Sequence, residues 1–285
     1  MMNNIAVYNS LKQFMPIYIV SFIALEFLYN LYNNKRFLIK EVRINVISGL
    51  LVIVTQSALQ FVMLARLNPF LYEHRLFNMD IGMYQFVVCF FLYTFLQYCS
   101  HYLSHKVRFF WCLHEVHHSA LHMNTSTGVR NSIFDVISTD VLYLIIPLLG
   151  IEPIVFLITY TCLKVWGTFI HINEDIVSKI PLINWFMVDP STHHVHHAQN
   201  PIYIDKNYGE FLNIYDKAFG TFVNETERPL YGTIGHTPKG FWDVQLYSFR
   251  VLFAEMRAAK SLKEKILLAI MPPEWSVNKK AKFLR

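Results

Sequence analysis

The chain has 285 residues, of which 54% are hydrophobic, 16% aromatic and only 16% charged. A soluble globular domain carries about 25% charged residues, so this composition excludes an ordinary water-facing surface and predicts an integral membrane protein. The formal charge of +5 is too small and too dispersed for a nucleic-acid partner, and the four cysteines, Cys89, Cys99, Cys112 and Cys162, lack the spacing of a disulfide framework or zinc ribbon.

A spanning helix needs about 20 mainly apolar residues. The first apolar stretch, residues 14–32, carries Glu26 and has no small-residue cleavage site behind it, which predicts a retained helix rather than a signal peptide. Residues 44–65 and 81–100 contain no charge and predict two spanning helices. The connection KRFLIKEVR sets Lys35, Arg36, Lys40 and Arg43 against Glu41 alone, whereas residues 66–80 balance acids and bases. The positive-inside rule therefore puts this connection in the cytoplasm, the N-terminus outside, and everything after Ser100 on the cytoplasmic side.

Further on, Pro147, Gly150 and Pro153 interrupt an apolar region. Residues 133–170 are expected to form a membrane hairpin turning at 149–153, which returns the chain to its starting side. A single span over 141–163 would instead carry His171 across the bilayer. Residues 242–270 read as one amphipathic helix ended by Pro272 and Pro273. Around its end Arg257, Lys260, Lys263, Lys265, Lys279, Lys280, Lys282 and Arg285 outnumber Glu264 and Glu274, a pattern that suits headgroups or a solvated helix packed on the protein itself. No internal repeat marks a second domain. The expected architecture is all-α over residues 1–285, with membrane helices within 14–100, a histidine-rich region at 101–232 and a basic tail at 242–285.

Eleven of the 13 histidines fall between His101 and His197. HYLSH sets His101 and His105 at i, i+4, HEVHH sets His114, His117 and His118 at i, i+3, i+4, and HHVHH repeats that set as His193, His196 and His197. Such positions share one helix face. With His171 beside the hairpin, these make nine imidazoles, more than one metal ion can use, and they fit two ions with four or five ligands each. His194 falls off the shared face and is expected behind it. His74, His122 and His236 are expected to be surface or capping residues without a role. Two rival readings use fewer residues. His114, Glu115 and His118 also spell the H-E-x-x-H of a zinc peptidase, which leaves the other histidines unexplained. A non-catalytic metal carrier would need a polar path through the two uncharged spans.

The three boxes in this order around a hairpin resemble those of the fatty acid hydroxylase and sterol desaturase superfamily, over residues 81–232. HHSALHMNTSTGVRNS and HVHHAQNPIYIDKNYGEFLNIYDKAFGTF are most similar to alkylglycerol monooxygenases and their bacterial relatives. Two positions depart from that pattern: Lys106 stands where an acidic residue follows the first box, and Thr192 where a histidine is common. The resemblance implies a membrane oxygenase that hydroxylates a lipid C–H bond, with desaturation as the near alternative. It implies a cytoplasmic di-iron centre held by His101, His105, His114, His117, His118, His171, His193, His196 and His197, with dioxygen as oxidant. It also implies an outside electron donor, whether a reductase, a small haem carrier or tetrahydrobiopterin, because the chain has no G-x-G-x-x-G loop. His194, Asn124, Arg130, Asp205, Asn207 and Tyr208 would either orient the ligand histidines or bind a lipid headgroup.

Overall fold

A computed structural model describes residues 2–35, 38–62, 66–80, 82–135 and 140–275. Arg36, Ile81, Lys279, Lys280, Lys282 and Arg285, which the sequence analysis used, lie outside the described residues, as do positions 63–65 and 136–139. Among the described residues the regular structure is helical, with isolated bridges such as Met187 to Leu212 and no strand.

The first two helices, α1 (Met2–Tyr32) and α2 (Leu38–Val62), are polar inside and apolar outside. Glu26, Asn30, Asn45 and Ser48 are buried, while Val20, Leu25, Leu28, Leu50, Ile53 and Val54 are exposed. A soluble helix has the opposite arrangement. The buried groups grip the loop region behind them. The Glu26 carboxylate accepts the Thr125 N–H at 2.5 Å and the Asn173 N–H at 2.8 Å. Asn45 donates to Ser126 Oγ at 2.9 Å and accepts from Arg130 at 3.0 Å, and Glu41 pairs with Arg130 at 2.8 Å. By length and composition, Gln13–Tyr32 and Met83–Lys106 are the described helices fit to cross a membrane.

After the short α3 (Asn68–Glu73), α4 (Met83–Lys106) runs into α5 (Arg108–His118) through Val107, whose extended backbone breaks the helix and lets the two pack together. Two single turns, α6 (Asp140–Tyr143) and α7 (Ile145–Leu148), precede α8 (Pro153–Phe169), which Pro153 opens at a position where its missing N–H costs nothing. Between α7 and α8 the chain reverses at Gly150, with φ +96°. A Cβ there would lie 2.0 Å from the Phe77 carbonyl oxygen. Cys89, Tyr93 and Leu96 of α4 pack on Ile146, Ile151, Val155 and Phe156 around this turn.

The remaining helices are α9 (Pro190–His197), α10 (Ile214–Phe219), α11 (Phe241–Ala258) and α12 (Leu262–Ile270). The single helix expected over 242–270 is therefore two. Ala259 is extended, and Ser261 restarts the chain with a capping box, its side chain accepting the Glu264 N–H. Both helices pack on α5 through Leu252, Leu268 and Cys112, and Arg108 pairs with Glu255.

Replacing Gly150 with alanine combines a left-handed backbone with a clash against main chain. Gly150→Ala is expected to cost at least about 1–2 kcal/mol, read as a lower unfolding midpoint of the detergent-purified protein; an unchanged midpoint would contradict this turn.

Candidate metal centre

Each histidine box sits at a helix end with a local reason to fold there. His101 and His105 end α4, and His114, His117 and His118 line α5. His193, His196 and His197 line α9, whose N-terminus is capped by Asp189 accepting the Thr192 N–H at 2.9 Å and hydroxyl at 2.7 Å. His171 lies just past α8.

The nine rings gather into two groups. His101, His105, His114, His118 and His196 form one, and His117, His171, His193 and His197 the other, with the ligand atoms of each group within 4.8 Å of one another. The boxes interleave: α9 lends His196 to the first group, and α5 lends His117 to the second. The groups abut where the His118 and His197 rings stack at 4.4 Å.

Backbone carbonyls fix the tautomers. His101 Nδ1–H donates to Tyr208 O at 2.7 Å, His117 to Arg130 O at 3.1 Å, His171 to Gly167 O at 2.7 Å and His196 to Lys206 O at 2.8 Å. A carbonyl only accepts, so each of these rings carries its proton on Nδ1 and presents a bare Nε2. His117 Nε2 and His171 Nε2 nevertheless stand 3.1 Å apart, with no proton to share. Two bare lone pairs at that distance repel unless a cation lies between them. Two nitrogens bound to one ion at right angles, with bonds of about 2.1 Å, stand about 3.0 Å apart. His193 to His171 at 2.9 Å, His197 to His193 at 3.1 Å, His101 to His114 at 2.8 Å and His118 to His114 at 3.1 Å share that spacing. His196 Nε2 is buried in the first group without a hydrogen-bond partner. The donor set fits two metal ions.

Burial also keeps the rings neutral. It pushes His117 down to about 4 and, with neighbouring histidines adding to the fall, holds His114, His118, His171, His193, His196 and His197 well below the ordinary imidazole range. Neutral imidazole is the form that offers a lone pair.

The supporting residues divide by role. Arg130 is fully buried and its guanidinium is consumed internally, donating to Val116 O at 2.8 Å, Ser119 Oγ at 2.8 Å, Glu41 and Asn45. It orients His117 through its carbonyl and offers nothing to a headgroup. Asn124 caps the turn Thr125–Val129 and leaves the metal groups untouched. Asn207, at φ +58°, ties Thr192 O to the Val223 backbone, and Asp205 pairs with Lys106 beside His105. The lysine after the first box thus has a local partner. Tyr208 serves through its carbonyl, while its N–H and that of Gly209 donate to Asp216 at 2.7 and 2.8 Å. His194 lies outside both groups and donates from Nε2 to Ile172 O at 2.8 Å.

One expectation needs correction. His236 is no surface residue: it is buried, donates to Glu115 at 2.8 Å, lies 3.2 Å from Asp243 and stacks on Tyr247 at 3.7 Å. Glu115 is the reason, since its carboxylate also accepts from Thr233 at 2.7 Å and Ser248 at 2.9 Å. Engaged by these three donors, Glu115 cannot serve the zinc-peptidase role, and His114 and His118 belong to a five-histidine group. Exposed His74, which bonds Phe70 O at 2.8 Å, and exposed His122 match expectation.

In front of both groups opens a cavity of about 210 Å³, reached by His101 and His114 of the first and His117 and His171 of the second. Gln97, Asp135, Lys164 and Glu210 also line it, the last two 3.8 Å apart. Sequence reasoning missed these. A lysine inside an otherwise apolar helix was the available signal for Lys164, and nothing in the sequence pointed to Glu210.

Comparison with known proteins agrees with this geometry. Residues 86–221 match the fatty acid hydroxylase family model. Alkylglycerol monooxygenase of Danio rerio is 31% identical over 184 residues, 64% of this chain and 40% of that protein. A Delta(7)-sterol 5(6)-desaturase of Eremothecium gossypii is 24% identical over 76% of this chain and 61% of its own length. The ornithine lipid hydroxylase OlsE of Rhizobium tropici is 31% identical over 50% of this chain and 42% of its own. The chain thus spans about two-fifths of the length of the alkylglycerol monooxygenases it matches. No solved structure gives a significant match. With its histidine boxes inside the matched segment, the chain carries a fatty acid hydroxylase domain over residues 86–221 and is similar there to alkylglycerol monooxygenases and sterol desaturases.

Proposed function

We propose that the protein is an integral membrane oxygenase that hydroxylates a C–H bond of a lipid at a centre of two iron ions on the cytoplasmic side. The observation that carries this reading is the pair His117 and His171. Both give their protons to carbonyls, both turn bare nitrogens toward one point 3.1 Å apart, and both line the cavity. His101, His105, His114, His118 and His196 would hold one ion, and His117, His171, His193 and His197 the other. When bound, the pair of ions supplies the activation of dioxygen with outside electrons that attack on an unactivated C–H bond requires. The chain's own work is positional. The carbonyls of Tyr208, Arg130, Gly167 and Lys206 aim the ligands, and the cavity presents one carbon of the substrate to both groups. Burial keeps bulk water from the site.

The inverted polarity of α1 and α2, the two helices long enough to span and the basic connection near Lys35 and Lys40 support membrane embedding with the histidines at the cytoplasmic face. The names of the relatives favour a lipid with a polar head, an ether lipid or an aminolipid, as substrate, with electrons from a reductase, a small haem carrier or tetrahydrobiopterin. Desaturation is the second reading, favoured by the likeness to sterol desaturases. Incubation of the iron-loaded protein with an alkylglycerol, a reductant and dioxygen separates them, because hydroxylation adds one oxygen, seen as an alcohol or, at the ether carbon, as the aldehyde and glycerol into which the hemiacetal falls, whereas desaturation removes two hydrogens from the intact lipid. No change in any lipid offered would contradict both.

Three further outcomes are expected. His117→Ala should lower bound iron and abolish turnover while the protein stays in the membrane; normal metal and full activity would contradict the two-ion centre. Glu115→Gln should keep its metal and lose only stability, about 1–3 kcal/mol from the disturbed buried hydrogen bonds, whereas a zinc peptidase would show the reverse pattern. Chelation under reducing conditions should lower the thermal midpoint, because ions bound only by the folded state stabilise it; a midpoint indifferent to chelator would count against resident metal.

A further inference from the structure

The backbone that leads into α9 holds two large apolar side chains out of the protein. Leu182 is 86% exposed and Trp185 is 78% exposed. Leu182 has φ +70°, a left-handed conformation that a branched side chain adopts only when its surroundings impose it. The surroundings here are extensive. Asn213 donates its side chain to Asn184 O at 2.7 Å and Met187 O at 2.9 Å, its backbone N–H reaches Phe186 O at 3.1 Å, and Lys217 Nζ donates to Trp185 O. Val188 N–H to Phe211 O at 2.9 Å closes the unit. Residues 182–188 and 211–219 are thus one body joined directly to histidine-bearing α9.

This body lies alongside the apolar helix α4. Tyr215 Oη donates to Phe91 O at 2.9 Å and lies 3.2 Å from Thr94 Oγ1. At 1.5 Å per residue, Phe91 is about 22 Å from the histidine end of α4, so the chain reaches back well along a helix fit to cross a membrane. On that side the outer surface belongs to the returning segment. Phe219 is 61% exposed and Ile214 is also exposed, and Phe95 of α4 continues the apolar band at 5.4 Å from the Tyr215 ring. Within 182–188 and 211–219 the acid, Asp216, is buried against backbone N–H groups and the exposed charge is Lys217; Lys179 precedes the first segment, and half-buried Glu210, 3.8 Å from Lys164, precedes the second. Exposed apolar side chains on both segments with the exposed cation Lys217 among them fit the interface of a bilayer with anionic or zwitterionic headgroups, and the acids Glu225 and Glu227 lie on the other side, beside Lys179 and Asn184.

We infer that residues 182–186 together with 214–219 form a wedge that enters the lipid interface beside α4 and sets the depth at which α9 presents His193, His196 and His197. The inference rests on the membrane-embedded reading above, and the test separates the two. In a Cys99→Ala, Cys162→Ala background, with Cys89 and Cys112 buried, a nitroxide is placed at Leu182→Cys, Trp185→Cys, Val20→Cys or Lys239→Cys. The full chain is reconstituted in phosphatidylcholine–phosphatidylglycerol vesicles. Collision with dioxygen is compared with collision with a water-soluble nickel chelate.

Positions 182 and 185 should favour dioxygen several-fold over the exposed loop position 239 and approach position 20 on the outer face of α1. If position 20 lies in lipid while 182 and 185 both match 239, the wedge is wrong and this surface is free for a protein partner. If position 20 also matches 239, the membrane reading fails and the wedge with it.

Discussion

A histidine ring can offer only one nitrogen to a metal, and the choice is made by what holds the other. Here that choice falls to main-chain carbonyls. Tyr208, Lys206, Arg130 and Gly167 each accept an Nδ1–H, and each must stand at one distance and direction from a ring on a different segment. Much irregular structure follows from this requirement. The stretch 205–208, with Asp205 and Asn207 in the left-handed region, aims two carbonyls at rings from α4 and α9. Gly209 follows because a Cβ there would meet Leu212 O at 2.3 Å. Asp216 then gathers the N–H groups this turn leaves over.

The same logic explains how so many polar rings can be held close together. Eight of the nine imidazoles are buried, and charging them would be a severe desolvation cost; burial lowers the proton affinity of those on α5, α9 and at His171. What remains is mutual repulsion of lone pairs, held in place by the packing of α5 between α4 and α11. Such an arrangement is unfavourable by itself and favourable around cations, which gives the centre its selectivity for being filled.

Helical class and histidine grouping were legible because both depend on period. Spacing of three and four puts rings on one face, and uncharged apolar runs make helices. Interleaving was not legible: nothing in HEVHH says that His117 turns toward His171 and His193 while His114 and His118 turn toward His101. Nor could side-chain letters reveal partners that are carbonyls. His236 looked isolated because its partner Glu115 is more than a hundred residues away, and helix 242–270 looked continuous because Ser261 is as good a cap as it is a surface residue.

The grip of α1 and α2 on the region behind them bears on how the protein is made. The family-matching segment begins at residue 86, yet Arg130 inside it neutralises its charge on Glu41, and the Thr125 and Asn173 N–H groups end on Glu26. Without the first two helices, Arg130 would keep Val116 O and Ser119 Oγ but lose the carboxylate that balances its charge, and the Thr125 and Asn173 N–H groups would lose their acceptor. The histidine-bearing segment is therefore tied to the two helices that precede it. Those contacts couple the stability of the later segment to the two helices made before it, so a fragment starting near residue 86 would be less stable than the full chain.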